Sequence, residues 1–350
     1  MADFENIVPV AVLTGFLGSG KSTLLNQMLR SQGMPPTAVV INELGEVGID
    51  NLLIERVTEG IALLNSGCLC CTVRSDLEQT LQDLYLKRVR GVIPNFSRMV
   101  IETTGLADPG PILQTLLSRA LREKRYELST VLTTVDAVEG AATISRYPEA
   151  LRQVVIADRL IVTKSDLGKP ALLEKLEAQL SSLNALATRV RVTKGEGNPQ
   201  AVLGTSFLTG EQHGDLRRNW AERATWYRQS HRKNILRKAT DDPEQVHHTA
   251  GVRADCYILE SPIDWDVLSA ALKELLLQHG ERLLRFKAIV QLQALEEPVA
   301  LHAVHHTLYP PETLPKSQVS GVQESRLVFI SERTDRGVFD ALIDKLARVV

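Results

Sequence analysis

The sequence contains little cysteine, few aromatic residues and no long apolar run. Its 350 residues include four cysteines, three of them within four positions, and 5% aromatic residues. Cysteines this few and this crowded argue against a disulfide framework and indicate a reducing compartment. No apolar stretch approaches the length of a membrane span, and residues 1–6 are acidic and lack a signal-peptide pattern. We therefore expect a cytoplasmic protein that does not bind a membrane.

Neither sign of charge dominates the chain. The 40 Lys and Arg residues are balanced by 42 Asp and Glu residues, which leaves a formal net charge of -2. A general nucleic-acid binder would carry a clear excess of positive charge, so we do not expect a nucleic-acid partner. The hydrophobic fraction of 44% is ordinary for a globular protein. The length is sufficient for two domains, each with its own core.

A glycine-rich motif follows the first apolar run of the chain. Residues 15–22 read Gly-Phe-Leu-Gly-Ser-Gly-Lys-Ser, between a strand-like segment and a helix-like one. This is the G-x-x-x-x-G-K-[ST] phosphate-binding loop, in which backbone N–H groups surround phosphate oxygens, the Lys reaches the outer phosphates and the Ser holds Mg²⁺. The helix that follows adds its own attraction for anions. The predicted nucleotide-binding residues here are Gly15, Gly18, Ser19, Gly20, Lys21, Ser22 and Thr23.

The first part of the chain alternates apolar strands with amphipathic helices. Strands are predicted at residues 8–13, 38–41, 99–102, 130–135, 159–162 and 190–192, and helices include residues 76–89 and 110–124. Alternation of this kind indicates a sheet of parallel strands covered on both faces. We predict a three-layer P-loop NTPase domain of the α/β class, with a mainly parallel sheet, over residues 1–206.

The rest of the chain has a different composition. Residues 207–250 interleave Lys and Arg with Trp220, Trp226 and Tyr227. Cations with aromatics suit single-stranded nucleic acid, but the neutral balance of the chain favours a solvated basic linker. Residues 251–350 show strand patterns at 252–259, 286–293, 299–304 and 326–330, with helices at 264–279 and 336–348. This order predicts a smaller α+β C-terminal domain.

An acid ends the apolar strand at residues 99–102. Glu102 follows Met-Val-Ile and precedes Thr-Thr-Gly. A carboxylate at a strand tip beside a phosphate loop can hold Mg²⁺ through water, as a Walker B residue does. We predict that Lys21 and Glu102 are the catalytic residues, that Ser22 and Glu102 hold Mg²⁺, and that Gly105 brings a backbone N–H to the γ-phosphate.

A second tetrapeptide ends a later strand. Residues 163–166 read Thr-Lys-Ser-Asp, the form of the N/T-K-x-D motif of GTP-binding proteins. A carboxylate at Asp166 would accept hydrogen bonds from guanine N1–H and the 2-amino group, whereas adenine would leave it unpaired. The stem of Lys164 would lie along the base. We therefore predict GTP and GDP as ligands, with Thr163, Lys164 and Asp166 in the base site.

A segment rich in acids and glycines follows the second predicted strand. Residues 42–50 read Asn-Glu-Leu-Gly-Glu-Val-Gly-Ile-Asp. The segment lies where a nucleotide-sensing switch loop would be, and we interpret it as one, with a surface turn as the alternative.

Three of the four cysteines form a cluster. Cys68, Cys70 and Cys71 lie in Gly-Cys-Leu-Cys-Cys, and neighbouring thiolates suit a soft or borderline metal, with Zn²⁺ or Cu(I) favoured by the ligand type. Buried apolar packing is the alternative but does not explain the crowding. A tetrahedral ion needs a fourth ligand, for which Glu46, a histidine or water are candidates. Cys256 fits a core position, and His247-His248 and His305-His306 fit either packing or a transfer site.

Taken together, these motifs resemble those of the CobW-type metallochaperone GTPases. The resemblance rests on residues 15–22, 42–50, 67–71, 163–166 and Glu-Thr-Thr-Gly-Leu-Ala-Asp-Pro-Gly-Pro at 102–111. It extends to Leu-Leu-Arg-Phe-Lys-Ala at 283–288 and Val-His-His at 304–306. Some members carry Glu where Ile41 stands, so that ligand is absent here. The resemblance implies GTP hydrolysis coupled to delivery of Zn²⁺ or Co²⁺ to a client metalloprotein.

We therefore expect a GTPase that couples its nucleotide state to a metal site. A homodimer is compatible with the sequence. Two alternatives remain open at this point. An ATP-dependent small-molecule kinase would use the same phosphate loop but explains neither the cysteines nor the Thr-Lys-Ser-Asp motif. A passive zinc-binding protein with a structural nucleotide would show no turnover.

Overall fold

A computed structural model describes residues 7–31, 34–42, 63–65, 73–184, 187–194, 198–203, 252–314, 324–332 and 336–347. The chain divides into two compact units, one of residues 1–179 and 187–207 and the other of residues 180–186 and 208–350. The predicted linker at 207–250 lies outside the described residues. The domain limits at 206 and 250 therefore stay a prediction.

The described strands of the first unit form one parallel sheet. Seven strands lie in the order β3-β2-β4-β1-β5-β6-β7, and every neighbouring pair is parallel. The strands are β1 (Val8–Gly15), β2 (Thr37–Asn42), β3 (Leu63–Asn65), β4 (Arg98–Thr103), β5 (Tyr126–Asp136), β6 (Arg159–Thr163) and β7 (Thr188–Arg191).

Helices connect these strands. They are α1 (Lys21–Leu29), α2 (Val73–Val89), α3 (Gly110–Leu116), α4 (Arg119–Glu123), α5 (Gly140–Arg146), α6 (Pro148–Ile156), α7 (Pro170–Leu183) and α8 (Pro199–Leu203). Consecutive residues of β1, from Val10 to Leu13, are each at most 1% exposed. Because successive side chains of a strand point to opposite faces, both faces of the sheet are covered. The predicted α/β fold is confirmed.

Some element boundaries differ from the sequence patterns. The helix predicted over residues 110–124 is two helices, α3 and α4, and the hydroxyl of Ser118 between them accepts the N–H of Leu121 at 3.4 Å. Serine competes for backbone N–H groups in this way and so favours a new helix start. The strand predicted at 130–135 is longer, and α5 and α6 follow it without having been predicted.

The second unit contains an antiparallel sheet. Its strands are β8 (Val252–Leu259), β9 (Leu283–Val290), β10 (Val299–Val304), β11 (Thr307–Leu308), β12 (Glu312–Thr313) and β13 (Ser325–Glu332). They pair in the order β11-β10-β9-β13-β8, with β12 also on β10. The helices α9 (Trp265–His279) and α10 (Arg336–Ala347) share one hydrophobic core with the sheet, centred on Phe286, Phe329 and Phe339. The predicted α+β class of this region is confirmed.

Candidate nucleotide site

The phosphate-binding loop connects β1 to α1 at the carboxyl edge of the parallel sheet. Gly15 has φ +143°, and a Cβ there would lie 2.6 Å from the carbonyl oxygen of Thr134 on β5. Real Cβ atoms are not found this close to a backbone oxygen, so this position requires glycine. Gly20, with φ +93°, directly precedes α1.

Hydrogen bonds from neighbouring strands hold the loop in place. The hydroxyls of Ser19 and Thr134 lie 2.7 Å apart and both are buried. The hydroxyl of Thr163, at the end of β6, donates to the carbonyl oxygen of Ser19 at 2.7 Å. Thr163 was predicted for the base site, and in the structure its hydroxyl supports the phosphate loop.

Lys21 is the first residue of α1 and is largely buried. Its ammonium donates to the carbonyl oxygens of Gly15 at 2.9 Å and Phe16 at 3.2 Å. The first turn of α1 contains no acidic residue, and no side chain caps it. Its backbone N–H groups and the positive end of the helix dipole therefore face the loop, an arrangement that attracts anions. Thr23, in the same turn, is exposed.

Ser22 and Glu102 meet although 80 positions separate them. The Ser22 hydroxyl donates to Glu102 Oε1 at 2.7 Å. Glu102 is 4% exposed and lies beside Leu13 in the register of β1 with β4. A hydroxyl and a carboxylate at this separation are oxygen ligands of the type that Mg²⁺ prefers, so the two residues fit that ion.

Gly105 lies against the phosphate loop. A Cβ at this position would lie 2.6 Å from the backbone nitrogen of Leu17 and 2.8 Å from its Cα. Any side chain there would displace the loop, which is a packing reason for glycine. The segment after β4 thus lies beside the phosphate loop.

The Thr-Lys-Ser-Asp segment forms a turn after β6, closed by the N–H of Leu167 and the carbonyl of Lys164 at 3.0 Å. Lys164 has φ +54°, uncommon for a residue with a side chain. Its ammonium donates to Asp136 Oδ2 at 2.6 Å and to the carbonyl oxygen of Gly18 at 2.9 Å. Asp166 is exposed.

Asp136 is a residue of this edge that the sequence analysis missed. Burial alone would raise its pKa, but hydrogen bonds from Lys164 and from the N–H groups of Val138 and Glu139 outweigh that effect and hold the pKa below its usual value. Asp136 ends strand β5 as Glu102 nearly ends β4. A search for acids at every strand end would have found it.

The predicted metal site cannot be compared with the structure. Cys68, Cys70, Cys71, Glu46 and the switch segment after Asn42 lie outside the described residues. Within the described ranges no group of three His, Cys, Asp or Glu side chains could hold a metal ion. Cys256, expected at a core position, is only partly buried on β8, and burial of its thiol raises its pKa to about 11.

Of the two predicted histidine pairs, one lies outside the described residues and the other lies within them. His247 and His248 lie outside the described residues. His305 Nδ1 lies 3.2 Å from the carbonyl oxygen of Gly280, and His306 Nδ1 lies 2.7 Å from that of Leu276, both at the end of α9. These contacts agree with the packing interpretation.

No helix among the described residues is long and apolar enough to cross a membrane.

Comparison with known families finds similarity along most of the chain. Residues 9–191 match the family "CobW/HypB/UreG, nucleotide-binding domain", and residues 252–348 match the "Cobalamin synthesis protein cobW C-terminal domain". Zinc chaperone YjiA of Escherichia coli is 35% identical over 290 residues, which cover 81% of this chain and 82% of that protein. Zinc-regulated GTPase metalloprotein activator 1 of Schizosaccharomyces pombe is 33% identical over 196 residues, which cover 54% of this chain and 46% of that protein.

A solved structure is similar to the whole chain. The crystal structure of Zn(II)-bound YjiA GTPase from E. coli superimposes with a TM-score of 0.71 at 29% identity, covering 97% of this chain and 99% of that one. A triple mutant of YjiA, with one glutamate and two cysteines replaced by alanine, is also described as Zn(II)-bound.

Proposed function

We propose a zinc-chaperone function from one premise: the chain belongs to the CobW/HypB/UreG family of nucleotide-binding proteins. The chain is a GTPase, as are relatives that resemble it along most of its length. Those relatives are zinc chaperones or zinc-regulated activators of metalloproteins, which supports a metallochaperone role here. The residue roles, the metal ligands and the client belong to the proposal.

The contact between Ser22 and Glu102 is the structural observation that supports the proposal most directly. It brings a phosphate-loop hydroxyl within 2.7 Å of a buried carboxylate from a neighbouring strand. We assign these two residues to Mg²⁺, with Glu102 acting through water. When bound, the ion neutralises charge that develops on the phosphates.

Lys21 and the loop backbone are the groups we assign to the phosphates. The Lys21 ammonium is already directed along the loop by two of its carbonyl oxygens. A cation at this position stabilises the negative charge of phosphoryl transfer. Gly105, packed against Leu17, is the residue we assign to sensing the γ-phosphate through its backbone N–H. Its close fit to the loop supports this role because a shift in one segment displaces the other.

The base is assigned to the turn after β6. Lys164 is held between Asp136 and Gly18, so its stem has a fixed path beside the phosphate loop. Asp166 is exposed on the same turn, so its carboxylate is accessible to a ligand. Its carboxylate would accept two N–H groups from guanine, and this distinguishes GTP from ATP.

The cargo we propose is Zn²⁺, with Co²⁺ as the second candidate. Cys68, Cys70 and Cys71 are the proposed thiolate ligands, and Glu46, a histidine or water supplies the fourth. Residues 42–50 lie between the phosphate loop and this cluster in sequence, and as a nucleotide-sensing switch they would make metal affinity depend on nucleotide state. Linkage then requires that Zn²⁺ alter GTP affinity by the same factor. A client metalloprotein would receive the ion.

The proposal is tested by titrating Zn²⁺ in competition with a chelator of known affinity. The full chain is compared without nucleotide, with GDP and with a nonhydrolysable GTP analogue. We expect Zn²⁺ affinity to differ about fivefold or more between nucleotide states, a typical coupling. Replacing Cys68, Cys70 and Cys71 by Ser should remove tight binding, whereas the matched variant Cys256→Ser should retain it.

Affinity is the necessary readout because a zinc-bound crystal form exists for a relative that lacks two cysteines. Unchanged affinity in the triple Ser variant would refute the cysteine site. Equal Zn²⁺ affinity in all nucleotide states would refute the coupling and favour a passive zinc-binding protein. Tighter binding of ATP than of GTP would favour the kinase interpretation instead.

A further inference from the structure

The first unit contains a cavity on the side of the phosphate loop that faces β5, α5 and α6. Its volume is about 260 Å³. One wall is the loop segment from Phe16 to Ser19, and the other walls include Val135, Ile144, Gln153 and Val154. None of Lys21, Ser22, Glu102 or Asp166 lines it. Gly18, Ser19 and Lys164 of the proposed nucleotide site also line it, so the cavity adjoins that site without including Lys21, Asp166 or the proposed Mg²⁺ ligands.

Gln153 has a fixed orientation beside this cavity. Its side-chain nitrogen donates to the carbonyl oxygens of Gly105 at 3.1 Å and Ala107 at 3.0 Å. Two acceptors at these distances require the NH₂ group on that side, which settles which end of the amide is oxygen. Gln153 therefore connects α6 to the segment that lies against the phosphate loop.

Among the described residues, the side-chain oxygen of Gln153 is an unpaired acceptor. Gln153 is 1% exposed, and Oε1 has no hydrogen-bond partner among the described residues. A buried acceptor left unpaired destabilises the folded state, and such atoms are uncommon in native proteins. The neighbouring Thr133 hydroxyl cannot relieve it because that hydroxyl donates to the Gln153 main-chain oxygen at 2.7 Å. The wall of the cavity thus carries one acceptor that a bound donor would satisfy.

The remaining walls select for an uncharged body. Val135, Ile144 and Val154 are apolar and each is at most 4% exposed. The ring of Phe16 stacks on that of Tyr147, with the ring centroids 4.6 Å apart. Two acids line the cavity: Asp136 is paired with Lys164, and Glu139 is exposed to solvent. The volume exceeds the roughly 150 Å³ of an engineered cavity that binds benzene, which indicates a body of two fused rings or similar size.

We propose that this cavity binds a small, neutral, largely apolar molecule carrying one N–H or O–H donor, which pairs with Gln153 Oε1. Because the phosphate loop forms one wall, occupancy changes the affinity for GDP and GTP. This coupling rests on the proposed nucleotide site, whereas the cavity itself does not. Reciprocity requires the nucleotide to change affinity for the small molecule by the same factor.

Indole and 1-methylindole are matched probes for this site. They share a bicyclic body, but only indole has an N–H donor. Each is titrated into the full chain by calorimetry and by ligand-observed NMR, with and without GDP. We expect indole to bind about fivefold or more tightly than 1-methylindole, since pairing a buried orphan acceptor has an effect of this size. We also expect GDP affinity to change when indole is present at saturation.

Three variants locate the binding. Thr143→Trp places a large side chain in the cavity from α5 and should abolish indole binding. Ala142→Trp adds the same side chain at an exposed position of that helix and should leave binding intact. Gln153→Met keeps the length of the side chain but removes its amide, so it should bring the two probes to equal affinity.

Several results would overturn the proposal. They are absence of indole binding, equal binding of both probes by the wild type, or competition of indole with GDP for one site. An unchanged GDP affinity at saturating indole would overturn the coupling. GTP binding is measured on the same sample. Its loss with indole binding intact would refute the proposed function alone, and the reverse result would refute only the cavity.

Discussion

The two units of the chain treat buried polar side chains in different ways. In the first unit, Ser19, Lys21, Glu102 and Thr163 are buried and gather at the carboxyl ends of β1, β4 and β6. In the second unit the buried polar residues are spread along the strands of the sheet, and they include Asp255, Arg285, Lys287, His302, Ser325, Arg326 and Ser331. The first unit also buries polar residues elsewhere, such as Arg88 in α2 and Arg159 at the start of β6, but among the described residues the cluster at the carboxyl edge has no counterpart in the second unit.

Strand direction explains this difference. All neighbouring strands of the first sheet are parallel, so their carboxyl ends share one edge and residues distant in sequence converge there. In the second sheet neighbours run in opposite directions, and polar residues such as His302 and Lys287 face each other within the strands. The comparison suggests that nucleotide chemistry belongs to the first unit, and that the described sheet of the second unit contributes mainly stability. Four predictions test it, from the largest expected effect to the smallest.

The largest effect is expected in the core of the second unit. Phe329 is fully buried between Phe286 and Phe339, with ring centroids 4.8 Å and 4.7 Å away. Phe329→Ala should lower the free energy of unfolding by about 3–5 kcal/mol, measured by urea denaturation, because it removes an aromatic ring and leaves a cavity. Leu277→Ala, at a position 80% exposed, should cost less than about 0.5 kcal/mol. If the folded Phe329→Ala variant also lost GTP affinity by a similar free energy, the second unit would contribute to nucleotide binding and the contrast between the units would be wrong.

Turnover should depend on Lys21 in the first unit. Lys21→Ala should reduce the rate of phosphate release at saturating GTP by about 100-fold or more, because a cation at the developing charge is lost. Lys273→Ala, which removes an exposed lysine from the second unit, should leave the rate unchanged. Circular dichroism checks folding. Wild-type turnover by folded Lys21→Ala would remove the phosphate loop from the mechanism.

Thiol reactivity should differ between the two regions. The pKa of Cys256 is about 11, so at pH 8 its thiolate fraction is about 100-fold below that of an ordinary cysteine. Iodoacetamide should therefore modify the native protein slowly at Cys256 and rapidly at Cys68, Cys70 or Cys71 when zinc is removed. Peptide mass spectrometry over a time course measures both rates. Rapid, selective alkylation of Cys256 would indicate a functional thiol in the second unit.

The smallest effect is expected at Asp136. Asp136→Asn keeps an acceptor for Val138 N–H and Glu139 N–H but removes the charge that holds Lys164. Because the Lys164 side chain is 41% exposed, the pair is screened, and GTP affinity should fall only about two- to fivefold. The control Asp264→Asn changes an acid that accepts Val267 N–H at the start of α9, and it should leave GTP affinity unchanged.

The sign of the pH dependence follows from the lowered pKa of Asp136. The carboxylate gains protons only below the usual Asp value of 3.8, so its contribution is present above that value and is lost as pH falls through the lower folded pKa. The ratio of GTP affinities between the wild type and the Asp136→Asn variant should therefore stay constant between pH 5 and pH 8. A difference that shrinks from pH 7 to pH 5 would show that another group holds Lys164.

Much of the first unit could be predicted from local patterns. Apolar runs identified six of the seven described strands of the parallel sheet, and the phosphate-loop motif fixed the turn from β1 to α1. The helices α5 and α6 were not predicted because they have only seven and nine residues and are separated by Tyr147 alone. Too few turns are present in either for a helical period to be recognised. The three-residue strand β3 was not predicted because its extended conformation depends on pairing with β2, which no local pattern shows.

The sequence by itself determined which residues could bind phosphate, Mg²⁺ and a metal, because those chemistries depend on residue type and short spacing. Tertiary structure decided which of them meet. Ser22 reaches Glu102, Lys164 reaches Asp136, and Gln153 reaches Gly105 across 80, 28 and 48 positions. Such contacts depend on the order of strands in the sheet and on the packing of α6, and no local pattern encodes them. The close fit of Gly105 to Leu17 likewise exists only once β1 and β4 lie side by side.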